Sequence, residues 1–201
     1  MSNINDFEYL FSGCENLSDI SPLKNWDISK CENFSNLFED CKKLSDISPL
    51  KNWNVSNVKY FSSMFYKCSS MTDIKSLENW NVSNGTNFEM MFNHCNFSDL
   101  SPLKNWNVSK VKVFSSMFCD CSLIKDLKPL ENWNVSNGEK FSLMFANLKL
   151  LTDVSPLKNW NVANGKEFKK MFCGCKLLKN KNILRNMKFL KNNDFNSMFM
   201  E

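Results

Sequence analysis

The chain has 201 residues, 43% of them hydrophobic and 23% charged, with a formal net charge of +4. That is enough apolar material for one packed core and too much for a disordered chain. No apolar run approaches the ~20 residues of a membrane span, and a single histidine leaves few of the side chains most used in catalysis.

The charge is uneven. Residues 1–50 carry nine acids against four lysines, net −5, whereas residues 158–201 carry ten basic groups against three acids, net +7. An elongated molecule with this sequence is electrically polar along its axis.

The amino terminus, Met1–Leu10, shows no basic region followed by an apolar run, so no secretory signal is expected. Asn-x-Ser sequences at Asn54, Asn81, Asn107 and Asn134 recur at one repeat position, where a glycan would break stacking. Both points favour a cytoplasmic location, with the cell surface as the alternative if a signal was removed.

After a lead-in over 1–6, one phrase repeats to the end of the chain. Its tryptophans, Trp26, Trp53, Trp80, Trp106, Trp133 and Trp160, are spaced 27, 27, 26, 27 and 27 residues. Phe7, Phe34, Phe61, Phe88, Phe114, Phe141, Phe168 and Phe195 keep the same time. A fixed period of this length marks an array of units that cannot bury their apolar faces alone and so stack on one another. The expectation is a single domain over 1–201, with repeats over 7–194 and a truncated terminal repeat over 195–201.

Each unit reads as a short helix and a short strand. Ser56 or Asn57 suits an N-cap, and Val58, Phe61, Met64 and Phe65 fall on one helical face that ends near Cys68. Leu44–Ile47 reads as a strand, halted by Pro49, which has no amide to donate. About seven such turns make a rod roughly 35 Å long at strand spacing. Three units carry Asn-Gly (Gly85, Gly138, Gly165) at the helix start, which removes an apolar contact and permits a positive φ, so those helices are expected to begin later or turn more sharply. The unit from Phe88 is one residue short between Cys95 and Asp99, and the unit from Phe168 has lost its tryptophan.

The phrase Trp-Asn-Val-Ser-Asn-Val (Trp53–Val58), Phe-Ser-Ser-Met-Phe-x-x-Cys (Phe61–Cys68) and Leu-x-Asp-Ile (Leu44–Ile47) resembles the BspA-like leucine-rich-repeat proteins. The subgroup it resembles has 25–27-residue repeats and occurs in mycoplasmas, spirochaetes and other low-GC bacteria. The resemblance covers roughly residues 7–199. It implies an α/β repeat fold, a leucine-rich-repeat-like right-handed solenoid, and a role in binding, often adhesion at a cell surface.

The recurring polar residues have simple structural readings. Cys14, Cys41, Cys68, Cys95, Cys121 and Cys175 share one position that Leu148 also fills, which is the behaviour of a small buried apolar site. The pairs Cys119/Cys121 and Cys173/Cys175 lie two turns apart, about 10 Å at strand spacing, too far for zinc bonds of ~2.3 Å. Asp19, Asp46, Asp73, Asp99, Asp126 and Asp153 suit carboxylates accepting turn amides, and the Asn25 and Asn54 series suit pairing with loop backbone. The column Lys24, Lys51, Glu78, Lys104, Glu131, Lys158 reads as a self-neutralising edge. The tryptophans are either a buried spine or a stacking platform for sugars or bases; their strict repetition beside Leu and Val favours the spine.

Two sets of residues remain as candidate binding sites. The first is the basic end: Lys166, Lys169, Lys170, Lys176, Lys179, Lys181, Arg185 and Lys188. It reads either as a charged cap that keeps the end soluble or as a patch that attracts an acidic protein surface, and less readily a nucleic acid. The second is a variable face of the expected helices: Tyr66, Lys67, Glu89, Met90, Asn93 and His94. No phosphate loop, nucleophile elbow or His–carboxylate set is present. The sequence therefore points to a non-enzymatic protein-interaction module without cofactor or metal. Its size suits an intracellular inhibitor or adaptor of mobile-element or phage origin that binds an enzyme or complex; the alternative is a surface adhesin or structural repeat protein.

Overall fold

The computed structural model describes residues 5–186 and 195–200. Among the described residues, seven coils stack through a ladder one residue wide, in which six parallel bridges join Asp6, Asn33, Tyr60, Asn87, Val113, Lys140 and Glu167 in succession. The repeat period thus becomes the rise of a solenoid. The expected helix and strand do not form: among the described residues there is neither an α-helix nor a continuous strand.

A ribbon of overlapping turns replaces the helix. In the third coil the amides of Met64, Tyr66 and Cys68 donate to the carbonyls of Phe61, Ser63 and Phe65. The amides between them, of Phe61, Ser63, Phe65 and Lys67, donate instead to Asn87, Glu89, Met91 and Asn93 of the next coil. Alternate residues therefore satisfy their backbone within the coil and between coils, which leaves no amide for an i→i+4 bond. Phe61, Met64 and Phe65 are fully buried in this ribbon, so the apolar spacing was read correctly and its helical interpretation was not.

The ribbon needs left-handed residues at two positions, where Ser63 has φ 54° and Lys67 φ 59°. The second position is filled elsewhere by Gly13, Asp40, His94, Asp120, Asn147 and Gly174, all with positive φ. Glycine, Asn, Asp and His tolerate this conformation best.

The segment expected as a strand, 44–47, pairs in no ladder, and Ile47 already turns at φ −104°, ψ 15°. Asp46 Oδ1 accepts the Ser48 amide at 2.8 Å, and a 3₁₀ helix, Ser48–Leu50, follows with Pro49 in its first turn. Asp19, Asp73, Asp99, Asp126 and Asp153 accept in the same way, as the turn reading expected. Hydrogen bonds from the Ser21 amide and from the Ser155 hydroxyl hold the Asp19 and Asp153 carboxyls below the usual carboxylate range. Asn54, Asn81, Asn107, Asn134 and Asn161 close similar turns. Asn57, Asn84, Asn137 and Asn164 donate to a serine carbonyl of the coil before.

The core is a set of parallel columns. The second phenylalanine of each unit, Phe11 through Phe172 to Phe199, stacks on its neighbours at 5.5–5.9 Å between centroids with rings no more than 15° apart. Trp53, Trp80, Trp106, Trp133 and Trp160 are buried, and each indole donates to a leucine carbonyl of the preceding coil at 2.9–3.1 Å. They form a spine, with no free face for stacking a ligand.

Gly85, Gly138 and Gly165 do not take a positive φ. They are required by space: a Cβ at Gly85 would lie 2.6 Å from the Phe88 ring, and Gly138 and Gly165 sit closer still to Phe141 and Phe168. In the short fourth coil Phe97 is fully buried and meets Phe92 edge-on at 5.4 Å.

The terminal 3₁₀ helix Phe195–Phe199 covers the last coil. Ser197 and Met198 carbonyls accept the Lys170 and Phe172 amides, and the Phe199 ring stacks on Phe172. Members of the Lys24–Lys158 column form no ion pair with one another. The inter-coil pairs lie elsewhere, at Glu15–Lys42 (2.7 Å), Glu32–Lys59 (2.7 Å) and Glu139–Lys166 (2.5 Å).

Candidate functional site

The side chains at the second left-handed position, and those just after each cysteine, are not spent on the core. They line a groove of about 470 Å³ that crosses five coils, formed by Lys42, Lys67, Ser69, His94, Asn96, Asp120, Ser122 and Lys149. The ribbon explains why they gather there: Lys67, His94 and Asp120 stand at its left-handed turn just before the buried cysteine, and the others follow that cysteine position directly. Asn96 Nδ2 donates to the Ser69 carbonyl at 2.6 Å and ties the groove floor across coils.

Its lining holds three lysines and one acid, Asp120. Lys42 is held by Glu15 at 2.7 Å and lies 3.8 Å from Asp40. Lys67 Nζ sits 4.9 Å from the Tyr66 ring centroid, and the Tyr66 ring lies 6.1 Å from His94. His94 Nε2 is 3.6 Å from Asp120 Oδ2, which also accepts the Cys119 thiol at 3.1 Å.

A cysteine, a histidine and a carboxylate thus meet, but their roles are wrong for nucleophilic chemistry. Burial, together with the hydrogen bond to Asp120, pushes the Cys119 thiol far above its ordinary range. The thiol donates to the carboxylate and makes no bond to the imidazole, so nothing removes its proton.

The cysteine column is similarly passive. The Cys41, Cys68, Cys95, Cys121 and Cys175 thiols each donate to a phenylalanine carbonyl of the preceding coil at 2.9–3.2 Å. Burial pushes Cys41 and Cys121 up to about 12 and Cys175 to about 11. Among the described residues no three His, Cys, Asp or Glu side chains are grouped as a metal site would require.

Of the residues proposed from the sequence as a variable face, the structure brings Tyr66, Lys67 and His94 together at the groove. Asn93 is buried, 6% exposed, and its Oδ1 accepts no hydrogen bond among the described residues. Glu89 and Met90 are half-buried on the turn that opens the ribbon and do not line the groove.

The basic end spreads over successive segments of the last coil. Lys166 is paired with Glu139 at 2.5 Å. Lys169 is exposed and Lys170 half-buried on the ribbon, whereas Lys176 and Lys179 are exposed after the last cysteine. Lys181 Nζ lies 5.3 Å from the Phe199 ring centroid, and Arg185 Nε donates to Asn182 at 3.0 Å. Lys188 lies outside the described residues. The sequence reading missed Lys42, Asp120 and Lys149; their signal was a column that changes chemistry in every unit beside a column that does not.

A family described as Mycoplasma protein of unknown function, DUF285, matches residues 1–100 and 86–201. The chain belongs to the DUF285 family. Among solved structures it is similar to two internalins of Listeria monocytogenes. With internalin inlF it shares 22% identity and a TM-score of 0.50 over 87% of this chain and 44% of that one. With internalin C2 (inlC2) the values are 17% and 0.51, over 86% and 64%. The chain therefore spans less than two thirds of either internalin, and the likeness establishes a common repeat fold. No curated protein matches it. No helix among the described residues of this DUF285 chain is long and apolar enough to cross a membrane.

Proposed function

We propose that this DUF285 chain is a non-enzymatic protein-binding solenoid of the BspA-like type. The observation that carries the reading is the division of labour within each coil. Positions that repeat build the stack, and the groove is lined by side chains that differ from one coil to the next. A surface of that kind can be altered residue by residue without disturbing the fold, as a recognition module requires. The basic end supplies the long-range attraction, so the partner presents an acidic patch. A compact rod with these properties suits an intracellular inhibitor or adaptor that covers part of an enzyme or complex.

The test is capture of partners from host cytoplasm by the tagged chain, with and without nuclease, beside the charge-reversed variant Lys169→Glu/Lys170→Glu/Lys176→Glu. A single protein retained after nuclease and lost with the variant supports the proposal. Capture that disappears with nuclease assigns the chain to nucleic-acid binding instead. Retention by the variant removes the basic end from the site, and failure to capture any protein counts against the whole reading.

A further inference from the structure

Immediately after the groove-lining residues, one column changes character along the solenoid. In the first three coils it holds Asn16, Lys43 and Ser70, all exposed. The shortened fourth coil has no member. In the fifth, sixth and seventh it holds Leu123, Leu150 and Leu177, which remain 43%, 45% and 49% exposed.

The fold does not ask for leucine there. Asn, Lys and Ser occupy the same turn with the same backbone, and the residue that enters the core is the next one, Leu44 or Met71 as much as Ile124, Leu151 or Leu178. Three consecutive coils therefore place half-exposed leucines side by side, about 4.8 Å apart at the spacing of paired backbone. A contiguous apolar stripe on a polar surface marks a contact site.

The rim says what would make that contact. Ser122, Lys149 and Lys176 flank the stripe on one side, and Lys125, Thr152 and Lys179 on the other. The four lysines are exposed, and none forms an ion pair among the described residues. An apolar strip between two rows of free ammonium groups complements a segment with apolar side chains along one edge and carboxylates on both sides of it.

We infer that Leu123, Leu150 and Leu177 form the docking strip for an acidic amphipathic segment of a partner protein. The inference rests on the protein-binding reading above and commits it to one place and one chemistry. Binding seats the segment's apolar residues against the leucines. The lysines give register and a salt-sensitive association rate.

The probe is a random peptide library displayed on phage and selected against the intact chain. Selected peptides are then synthesised and their affinity read by fluorescence anisotropy. Three substitutions taken from the column itself, Leu123→Ser, Leu150→Ser and Leu177→Asn, preserve folding because coils one and three already carry those residues. Circular dichroism and the melting temperature check this.

The expected result is enrichment of peptides that combine aliphatic or aromatic residues with Asp and Glu. Their affinity falls about tenfold or more in the triple leucine variant and falls again as salt is raised. Selection of no such peptides, or equal binding by the leucine variant, overturns the inference. So does binding to phosphatidylserine vesicles in place of peptides, or self-association that the leucine substitutions abolish. If the leucine variant binds normally while Lys169→Glu/Lys170→Glu does not, the strip is wrong and the protein-binding reading stands.

Discussion

The interior columns and the groove are built from the same coils, yet they obey opposite rules. Inside, the second phenylalanine is retained from Phe11 to Phe199 and its rings stay within 15° of parallel throughout. Outward along the same ribbon, the residue before the cysteine (Leu148 in the sixth coil) is Gly, Asp, Lys, His, Asp, Asn and Gly in turn. Packing against two identical neighbours penalises any change of volume, whereas the outward position asks first for a positive φ and accepts several chemistries. Repeated packing and variable surface chemistry are thereby separated at single-residue resolution.

The sharpest way to break this contrast is from the inside. Phe92→Ala removes a ring sandwiched between Phe65 and Phe118 and should cost about 3–5 kcal/mol by denaturant titration. Gly138→Ala pushes a methyl group into the Phe141 ring and should cost about 1–3 kcal/mol. A loss below a few tenths of a kcal/mol would show that the ring has room to move aside.

The thiol column gives a pH signature. Burial raises Cys31 and Cys175 to about 11 and Cys41 and Cys121 to about 12. The unfolded chain releases these protons near the ordinary thiol pKa of about 8.5, so between there and pH 11–12 the folded state binds more protons. Their contribution is fully present below pH 8.5 and is lost as pH rises through that window. Denaturation midpoints should fall from pH 8 to 11, and less steeply in Cys41→Val/Cys121→Val.

On the outside the effects shrink. Lys59→Ala removes an exposed pair with Glu32 and should cost less than about 1 kcal/mol. Gly13→Asn should be near neutral: Asn147 already holds the equivalent left-handed position at φ 60°, and nothing lies within 4 Å of a Cβ at Gly13.

The sequence made the stack legible because periodicity is a direct record of which residues share a column. The tryptophan spine from Trp53 to Trp160, the buried cysteines from Cys41 to Cys175 and the aspartate turns could be read from what recurs, but in the first coil Cys14 is exposed and Trp26 only half-buried. The local backbone could not, because Phe61, Met64 and Phe65 satisfy a helical face and a ribbon of overlapping turns equally well. The discriminating mark was present in Gly13, Asp40, His94, Asp120, Asn147 and Gly174, a column of residues that accept positive φ. The strand at 44–47 failed for a different reason: Asp46 gives its side chain to the Ser48 amide, and the backbone turns into a 3₁₀ helix before it can pair.

At the surface, recurrence stops being a guide. Lys67 and His94 were found by their variability, but Asp120 and Lys149 join them through coil stacking that sequence spacing alone does not display. Leu123, Leu150 and Leu177 were hidden for the opposite reason, since leucine in a repeat of this kind reads as core. The charged edge expected at Lys24–Lys158 was misplaced; the pairs form where side chains from successive coils project side by side, as at Glu32 and Lys59.

The alternation of backbone bonds along the ribbon also has a mechanical consequence. Each coil is fastened to its neighbour by a row of amides pointing along the axis, loaded one after another when the chain is pulled from its ends. Such a molecule should yield by peeling, one coil per event. Each event would release 27 residues, about 90 Å of contour. The fourth coil gives a step one residue shorter, a built-in mark of how far the peeling has travelled.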